Sequence, residues 1–279
     1  MYNTLIDAAT LAAHIDDSHW VVVDCRHDLM NLAAGREAYA AGHIPGARFA
    51  SMEDELSGRK TGTNGRHPLP ERAALIAALR SYGIDDDTQV VAYDAHGGMY
   101  AARLWWLLRS VGHEAVAVLD GGLQAWQALG RPVTTDVPQP RAGNLAERPA
   151  LTRTVSVDDV VANLATQAFT VVDARANDRF RGENETIDPV GGHIPGAKNR
   201  FFKDNLGADG RFKPADQLKQ EFAPLFAAPE KAVMQCGSGV TACHNLLALE
   251  VAGMPGAALY PGSWSEWCAA PERPVATGA

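Results

Sequence analysis

The stretch Ala-Val-Met-Gln-Cys-Gly-Ser-Gly-Val-Thr-Ala at residues 232–242 decides the fold that we predict for this chain. A short apolar run, typical of a buried strand, ends at Cys236, and a helical pattern of apolar residues follows from Val240. A strand, a tight turn and a helix start would place the cysteine in a loop whose backbone N–H groups converge. Gly237 and Gly239 permit the positive φ angles that such a loop needs.

Cys236 has the surroundings that a nucleophile requires. The positive end of the helix dipole favours a negative charge at the centre of the loop, and a thiolate would supply that charge. The alternative is a buried structural cysteine at a strand end, since free cysteine is among the most buried residue types. The flanking glycines and the helix start favour the nucleophile.

Length and composition predict a soluble protein with one very large domain or two smaller ones. The chain has 279 residues, of which 46% are hydrophobic and 21% are charged. A formal net charge of −8 without a basic run argues against nucleic acid or an anionic membrane as the main partner. The first residues lack the basic and apolar regions of a signal peptide, and no apolar stretch is long enough to span a bilayer. We therefore expect a cytoplasmic protein.

The cysteines and histidines predict chemistry without a metal, a cofactor or a disulfide framework. None of the four cysteines forms a Cys-x-x-Cys pair, and the nine histidines include no His-x-His or His-Glu-x-x-His spacing. Four cysteines in so long a chain are too few for a disulfide scaffold, which favours a reducing compartment. The cysteines are Cys25, Cys236, Cys243 and Cys268.

The chain contains the same series of motifs twice. A strand pattern that ends in Asp-x-Arg, a Gly-His-Ile-Pro-Gly-Ala turn, a second strand followed by a glycine-containing turn, and a closing Arg-Pro-Val occur in the same order in both halves. Such matching order is hard to obtain by chance, so we interpret the chain as two copies of one domain. The matching pairs are 20–26 with 169–175, 42–47 with 192–197, 90–94 with 232–236, and 131–133 with 273–275.

We place the first copy at residues 1–137, a proline-rich and polar linker at 138–150, and the second copy at 151–279. Within each copy, short apolar strands alternate with helical stretches. This alternation predicts an α/β fold in which helices flank a mainly parallel sheet. Ligands bind such folds beyond the carboxyl ends of strands, where Asp94 and Cys236 both fall.

The tandem halves, the Gly-His-Ile-Pro-Gly turns and the loop at 236–242 resemble the two-domain rhodanese-type sulfurtransferases over essentially the whole chain. The loop is most similar to that of the 3-mercaptopyruvate sulfurtransferases, which is likewise Cys-Gly-Ser-Gly-Val-Thr. Thiosulfate-specific rhodaneses typically carry basic residues just after the cysteine, where this chain has Gly237 and Ser238. A thiosulfate dianion needs such cations more than a monocarboxylate donor does.

The resemblance implies transfer of sulfane sulfur from 3-mercaptopyruvate, through a persulfide on Cys236, to cyanide or to a thiol acceptor such as a small thiol or a thioredoxin-like protein. Asp94 stands at the cysteine position of the first copy, and a carboxylate cannot carry transferable sulfur. We therefore expect the first copy to be an inactive scaffold that forms one wall of an interdomain cleft. His43 and His193 occur in both copies, so we expect them to hold a turn.

The resemblance also implies groups that assist the thiolate, because sulfur transfer needs acid–base help for the leaving group. The Ser238 hydroxyl is placed to bond the thiolate or to pass a proton. His67 matches a histidine that the mercaptopyruvate enzymes bring from the first domain to the reactive cysteine. Glu53 and Asp54 lie near the acid that orients this histidine, and the alignment leaves open which of them matches.

Arg179 matches the arginine with which this family binds its donor. A second donor-binding arginine is expected nine residues further on, but this chain has Asp188 there. Arg181, Arg66 and Arg103 are the candidates to replace it. The remaining loop residues expected at the donor site are Gly237, Gly239, Val240 and Thr241.

Three other functions are compatible with parts of the pattern. Thiosulfate:cyanide sulfurtransfer would use the same loop. A phosphatase would also place a cysteine at a helix start, but its loop would be closed by an arginine, and residue 242 is Ala242. A non-catalytic tandem module that binds partners or senses sulfur is the third alternative, because Asp94 shows that this fold can lose its cysteine.

Overall fold

Two five-stranded sheets organise the chain, and the computed structural model describes residues 1–278 of it. Packing divides the chain into two compact units. The first unit comprises Met1–Gly58, Pro70–Leu151 and Ala208–Phe212, and the second comprises Arg59–Leu69, Thr152–Gly207 and the residues from Lys213 onwards. In both units every strand pairing is parallel and helices flank the sheet, which confirms the predicted α/β fold.

The first sheet has the strand order β1-β5-β4-β2-β3. All five residues of its central strand β4 are buried, as expected for a parallel strand that is covered on both faces. The strands are β1 (Leu5–Ile6), β2 (Trp20–Asp24), β3 (Arg48–Phe49), β4 (Gln89–Tyr93) and β5 (Val116–Leu119). The helices are α1 (Ala8–Ala13), α2 (Ala34–Ala41), α3 (Arg72–Ser81), α4 (Ala101–Ser110) and α5 (Gly122–Ala128).

The second sheet has the order β6-β10-β9-β7-β8, which is the order of the first sheet repeated. The strands β4 and β9 therefore hold the same central place, and Asp94 and Cys236 each follow directly. The strands are β6 (Arg153–Thr154), β7 (Thr170–Asp173), β8 (Lys198–Asn199), β9 (Ala232–Gln235) and β10 (Ala258–Leu259). The α-helices are α6 (Val157–Thr166), α7 (Asn177–Arg181), α8 (Ala215–Phe222), α9 (Thr241–Val251) and α10 (Ser263–Trp267). Short 3₁₀ helices lie at Phe202–Asn205, Ala223–Leu225 and Pro229–Lys231.

The repeated Asp-x-Arg motifs form the same buried ion pair in each unit. Arg26 Nη2 lies 2.6 Å from a carboxylate oxygen of Asp24, and Arg175 Nη2 lies 2.7 Å from one of Asp173. Both guanidinium groups also donate to a backbone carbonyl at the start of the Gly-His turn. Buried charges of this kind are stable only when they are paired and hydrogen-bonded, so the motif serves the scaffold.

The repeated histidines also serve the scaffold, as the sequence predicts. His43 Nδ1 lies 2.8 Å from the carbonyl oxygen of Tyr39, and the two rings are stacked. His193 Nδ1 lies 2.8 Å from the carbonyl oxygen of Phe180, again with stacked rings. Each histidine therefore fastens a turn to the preceding helix.

Residues 138–150, which the sequence predicts to be a linker, contain no regular helix or strand and pack along the first unit. The backbone N–H groups of Asn144 and Ala146 donate to Asp85 and Asp86 at 2.8 and 2.7 Å. Leu145 between them is only 2% exposed. Side-chain acceptors and one buried leucine therefore hold this segment in place.

Within residues 1–278, no helix combines the length and the apolar character needed to cross a membrane.

Candidate active site

The loop between β9 and α9 surrounds the Cys236 sulfur with backbone donors. The N–H of Gly239 lies 3.2 Å from Sγ and that of Ser238 lies 3.5 Å away. Cys236 is 2% exposed, so these donors replace water around the sulfur. A loop of this kind stabilises a negative charge on Sγ, or on a second sulfur attached to it.

The two glycines of the loop have different reasons to be glycine. Gly239 has a φ of 76°, and a Cβ there would lie 2.4 Å from the carbonyl oxygen of Pro261. For Gly237 the expected positive φ is wrong, since its backbone lies outside that region. A Cβ at Gly237 would instead lie 2.7 Å from Nη2 of Arg66, so a larger residue there would displace the mobile end of this arginine.

Ser263, the first residue of α10, bonds the backbone of Cys236. Ser263 Oγ accepts the Cys236 N–H at 3.1 Å and donates to the carbonyl oxygen of Tyr260 at 2.9 Å. Ser263 is fully buried and has a φ of 55°, which is rare for a residue with a side chain. The sequence prediction missed this residue. The repeat carries a signal for it, because the first copy has Gly122 at the matching place, with a φ of 56°.

Ser238 and His67 form a buried pair beside the loop. Ser238 Oγ lies 2.8 Å from His67 Nδ1, and the two residues are 7% and 3% exposed. The segment Arg59–Leu69 belongs by its packing to the second unit, and the N–H of Arg66 donates to Ser265 Oγ at 3.0 Å. The fold thus brings the predicted histidine to the predicted serine, two residues from Cys236.

The two acids proposed to orient His67 lie in the first unit. Glu53 is half-buried, whereas the side chain of Asp54 is 67% exposed and its carboxylate lies 3.5 Å from Arg36. The choice between Glu53 and Asp54 stays a prediction.

Two arginines lie beside Gly237, one residue from the nucleophile. The position of a Cβ on Gly237 is 2.7 Å from Nη2 of Arg66 and 3.8 Å from Nη2 of Arg179. Of the three candidates for the second arginine, Arg66 is therefore the one that the structure brings to the loop. Arg181 instead pairs with Glu183 at 2.7 Å in a partly exposed position, and Arg103 is buried in the first unit.

Acidic side chains accompany both arginines. Arg179 Nη2 lies 2.8 Å from Glu185 and 3.2 Å from Asp188, and Asp188 also pairs with Arg66. Burial raises the pKa of Asp188. Burial also disfavours ionisation of Glu185, but hydrogen bonds from Arg179 and from backbone N–H groups bring its pKa below the usual value.

The last two predicted loop residues begin the helix. Val240 is the N-terminal cap residue of α9 and is 5% exposed, and Thr241 is its first residue.

The other three cysteines lack a comparable loop. Burial raises the pKa of the Cys25 thiol well above its ordinary value, and raises that of Cys268 to about 11. Cys243 is fully buried, and its thiol donates to the carbonyl oxygen of Gly239 at 3.3 Å. The surroundings of Cys25 and Cys268 favour the neutral thiol, which is a poor nucleophile.

The corresponding loop of the first unit is filled by its own carboxylate. Asp94 is fully buried, and its two oxygens accept four backbone N–H groups at 2.8 to 3.0 Å. The first unit therefore keeps the loop of converging N–H groups, with the side chain of Asp94 as their acceptor. The donors belong to His96, Gly98, Tyr100 and Ala101.

Comparisons with known proteins agree with this geometry. The family model described as the rhodanese-like domain matches residues 7–129 and 156–270. A Pseudomonas aeruginosa protein described as "Probable 3-mercaptopyruvate sulfurtransferase" is 47% identical over 278 residues, 98% of each chain. The mouse thiosulfate sulfurtransferase is 37% identical over 251 residues, which cover 87% of this chain and 84% of that protein.

Solved structures lead to the same group of proteins. The 3-mercaptopyruvate sulfurtransferase SseA from Escherichia coli superimposes with a TM-score of 0.82 at 32% identity, covering 94% of this chain and 99% of that one. The enzyme from Leishmania major gives a TM-score of 0.84 at 30% identity, covering 95% of this chain and 74% of the other. The chain therefore belongs to the rhodanese-like family, as a sulfurtransferase with two such domains in tandem.

Proposed function

We propose that this enzyme transfers sulfur from 3-mercaptopyruvate, through a persulfide on Cys236, to a thiol or to cyanide. The observation that carries the proposal is the joint presence, around one buried cysteine, of converging N–H donors and a hydrogen-bonded serine–histidine pair. All four described cysteines are free thiols, and we propose the reducing cytoplasm as the place of this reaction.

The first half-reaction needs both features. The Cys236 thiolate attacks the sulfur of the donor, an S–S bond forms, and the C–S bond breaks with its electron pair moving into the enolate of pyruvate. The donor's thiol proton must leave the sulfur, and the enolate carbon must gain one. The pair of Ser238 and His67 is proposed to move this proton, and the loop N–H groups to stabilise the persulfide anion.

The second half-reaction returns the enzyme to its first state. An acceptor thiolate or cyanide attacks the outer sulfur of the persulfide, and Cys236 leaves as the thiolate that the loop stabilises. Sulfur transfer through a covalent intermediate predicts ping-pong kinetics. Mass spectrometry after exposure to the donor alone should find one added sulfur atom on the peptide that contains Cys236, and a protein that gains none would contradict the proposal.

Thiosulfate is the second candidate donor, and a specific observation favours it. The loop itself has no cation, but Arg66 and Arg179 lie beside Gly237 and can bind an anionic donor that displaces Asp188 from them. Thiosulfate needs no proton transfer, because sulfite leaves as an anion. A steady-state comparison of kcat/KM for the two donors decides between them, and we expect mercaptopyruvate to give the higher value.

Ser238→Ala should separate the two donors by their need for a proton. We expect kcat with mercaptopyruvate to fall about 10²-fold or more, the usual worth of general acid–base catalysis, and kcat with thiosulfate to fall much less. Pyruvate formation and sulfite release measure the two rates. Ser81→Ala, which removes an exposed hydroxyl in the first unit, is the matched control. Equal losses with both donors would show that Ser238 does not carry the proton.

Arg179→Ala and Arg66→Ala should each weaken the binding of an anionic donor. A charge-assisted hydrogen bond contributes about 1.5–3 kcal/mol, so kcat/KM should fall roughly 10- to 150-fold. Arg181→Ala tests the competing candidate and should cost less than either, because Arg181 pairs with Glu183. The exposed Arg131→Ala controls for the loss of one positive charge. A larger loss at Arg181 than at Arg66 would reverse the assignment of the second arginine.

A further inference from the structure

Asp188 lies between the two arginines that approach Gly237. One of its carboxylate oxygens pairs with Nη1 of Arg66, and the other lies 3.2 Å from Nη2 of Arg179. Both guanidinium groups approach Gly237, the residue that follows Cys236. A carboxylate of the protein itself thus lies where two cations converge beside Gly237.

The surrounding charges are balanced when this carboxylate is counted. Three guanidinium groups and three carboxylates form one connected, mostly buried cluster. The side chain of Asp188 is only 2% exposed, so water screens its charge little. An anion that arrives from solvent therefore meets a neutral site and not a site with two free positive charges. The members are Arg66, Arg175, Arg179, Asp173, Glu185 and Asp188.

We propose that Asp188 is a specificity-determining residue, an internal carboxylate that occupies the anion site of Arg66 and Arg179 and competes there with anionic substrates. The assignment of this site to the donor rests on the proposed function. The competition weakens the binding of every anion, and it weakens the binding of a dianion most because the repulsion grows with charge. Asp188, which stands where the family's second arginine is expected, then opposes the binding of an anion. Its effect is larger than the loss of one favourable contact.

The neighbouring acid, Glu185, is fixed in a way that Asp188 is not. Glu185 accepts hydrogen bonds from Nε and Nη2 of Arg179 and from the backbone N–H groups of Ile187 and Asp188. The hydrogen bonds described for the Asp188 carboxylate come only from the two arginines. An incoming anion that binds both arginines replaces all of these bonds, so Asp188 is the displaceable member of the cluster.

The electrostatic surroundings support this role. Burial raises the pKa of Asp188, and the nearby Glu185 acts in the same direction, while Arg66 and Arg179 oppose them. Arg175 and the Cys268 thiol also interact with this carboxylate. The anionic form of Asp188 is thus poorly stabilised for a group with two arginine partners, which lowers the cost of displacing it.

Alkylation of Cys236 tests the proposal without requiring sulfur transfer. Iodoacetate and iodoacetamide both react with the thiolate, forming a C–S bond as iodide leaves, but only iodoacetate carries a negative charge. The ratio of their rate constants at Cys236, measured by mass spectrometry of its peptide, cancels the ionisation and exposure of the thiol. Asp188→Asn should raise this ratio about tenfold, because two arginines then face the anion without an internal competitor. Asp188→Glu, which restores the charge, should leave the ratio near that of the unmodified protein.

Two controls keep every outcome decisive. Exposed Glu272→Gln makes the same change in net charge and should not alter the ratio. In the unmodified protein the ratio should lie within about threefold of that for 2-mercaptoethanol, an uncharged thiol, and this arm does not depend on the folding of any variant. A ratio already about tenfold above that reference, or an unchanged or lower ratio in Asp188→Asn, would overturn the proposal. If the ratio responds as expected while neither sulfur donor is turned over, the proposed function fails and the role of Asp188 stands.

Discussion

Cys236→Ser should abolish sulfur transfer with every donor, a loss of about 10⁴-fold or more, because a serine hydroxyl cannot carry the transferred sulfur. The fold should be unchanged, since the hydroxyl occupies less space than the thiol and the same loop N–H groups can bond it. Pyruvate formation from mercaptopyruvate and thiocyanate formation from thiosulfate and cyanide measure the loss.

The remaining cysteines provide matched controls for this experiment. Cys25→Ser, Cys243→Ser and Cys268→Ser should each retain most of the activity, because none of these sulfurs lies in an anion-binding loop. Cys243→Ser is the most informative of them, since it lies in the helix that follows the loop and its hydroxyl can keep the bond to Gly239. Substantial activity in Cys236→Ser, or its loss in Cys243→Ser without unfolding, would move the nucleophile elsewhere.

The sequence predicts the parts of this site that rest on local pattern and on repetition. A strand followed by a glycine turn and a helix is encoded within residues 232–242, so the place of Cys236 follows from short-range preferences. Repetition extends the argument to Asp94, because two similar domains put matching residues at matching points of their sheets. The α/β fold class also follows from local pattern, because short apolar strands alternate with helical stretches in each copy.

The sequence does not predict contacts that depend on packing between distant segments. Nothing near Arg66 indicates that its guanidinium group lies against Gly237, since the two residues are brought together by the packing of Arg59–Leu69 within the second unit. The same limitation explains why the sequence predicts a positive φ at Gly237, whereas the structure shows guanidinium groups packed close to it. The sequence shows that Asp188 stands where the family's second arginine is expected. It does not show that Asp188 pairs with Arg66 and Arg179.

Ser263 lies between these two cases. Its left-handed backbone has no local signal, yet the first copy carries Gly122 at the same position and with nearly the same φ. A serine where the repeat has glycine indicates that the side chain has a role that offsets the backbone strain, and the bond to the Cys236 N–H is such a role. Comparing the copies for departures, and not only for matches, would have found it.

The Asp94 loop of the first unit gives the second large effect that we expect. Asp94→Ala should lower the free energy of unfolding of this unit by about 3–5 kcal/mol, because it leaves buried N–H groups without the charged acceptor that now serves all four. Asp94→Asn should cost less, since its amide oxygen can still accept some of these bonds. In urea denaturation followed by circular dichroism, the transition of the first unit should move to lower urea, and two transitions should be fitted because the chain has two units.

The same variants test whether Asp94 is purely structural. Under conditions in which the first unit remains folded, Asp94→Ala should retain nearly the full turnover per molecule, because the proposed chemistry takes place at Cys236. Ser110→Ala, which removes a hydroxyl bonded only to its own helix, is the control for an ordinary substitution in the first unit and should move the transition little. An unfolding transition in Asp94→Ala that matches this control would mean that the four N–H groups find other acceptors. A large loss of turnover with the first unit still folded would instead place Asp94 in the active site. The role of its carboxylate would then not be limited to filling the loop of the first unit.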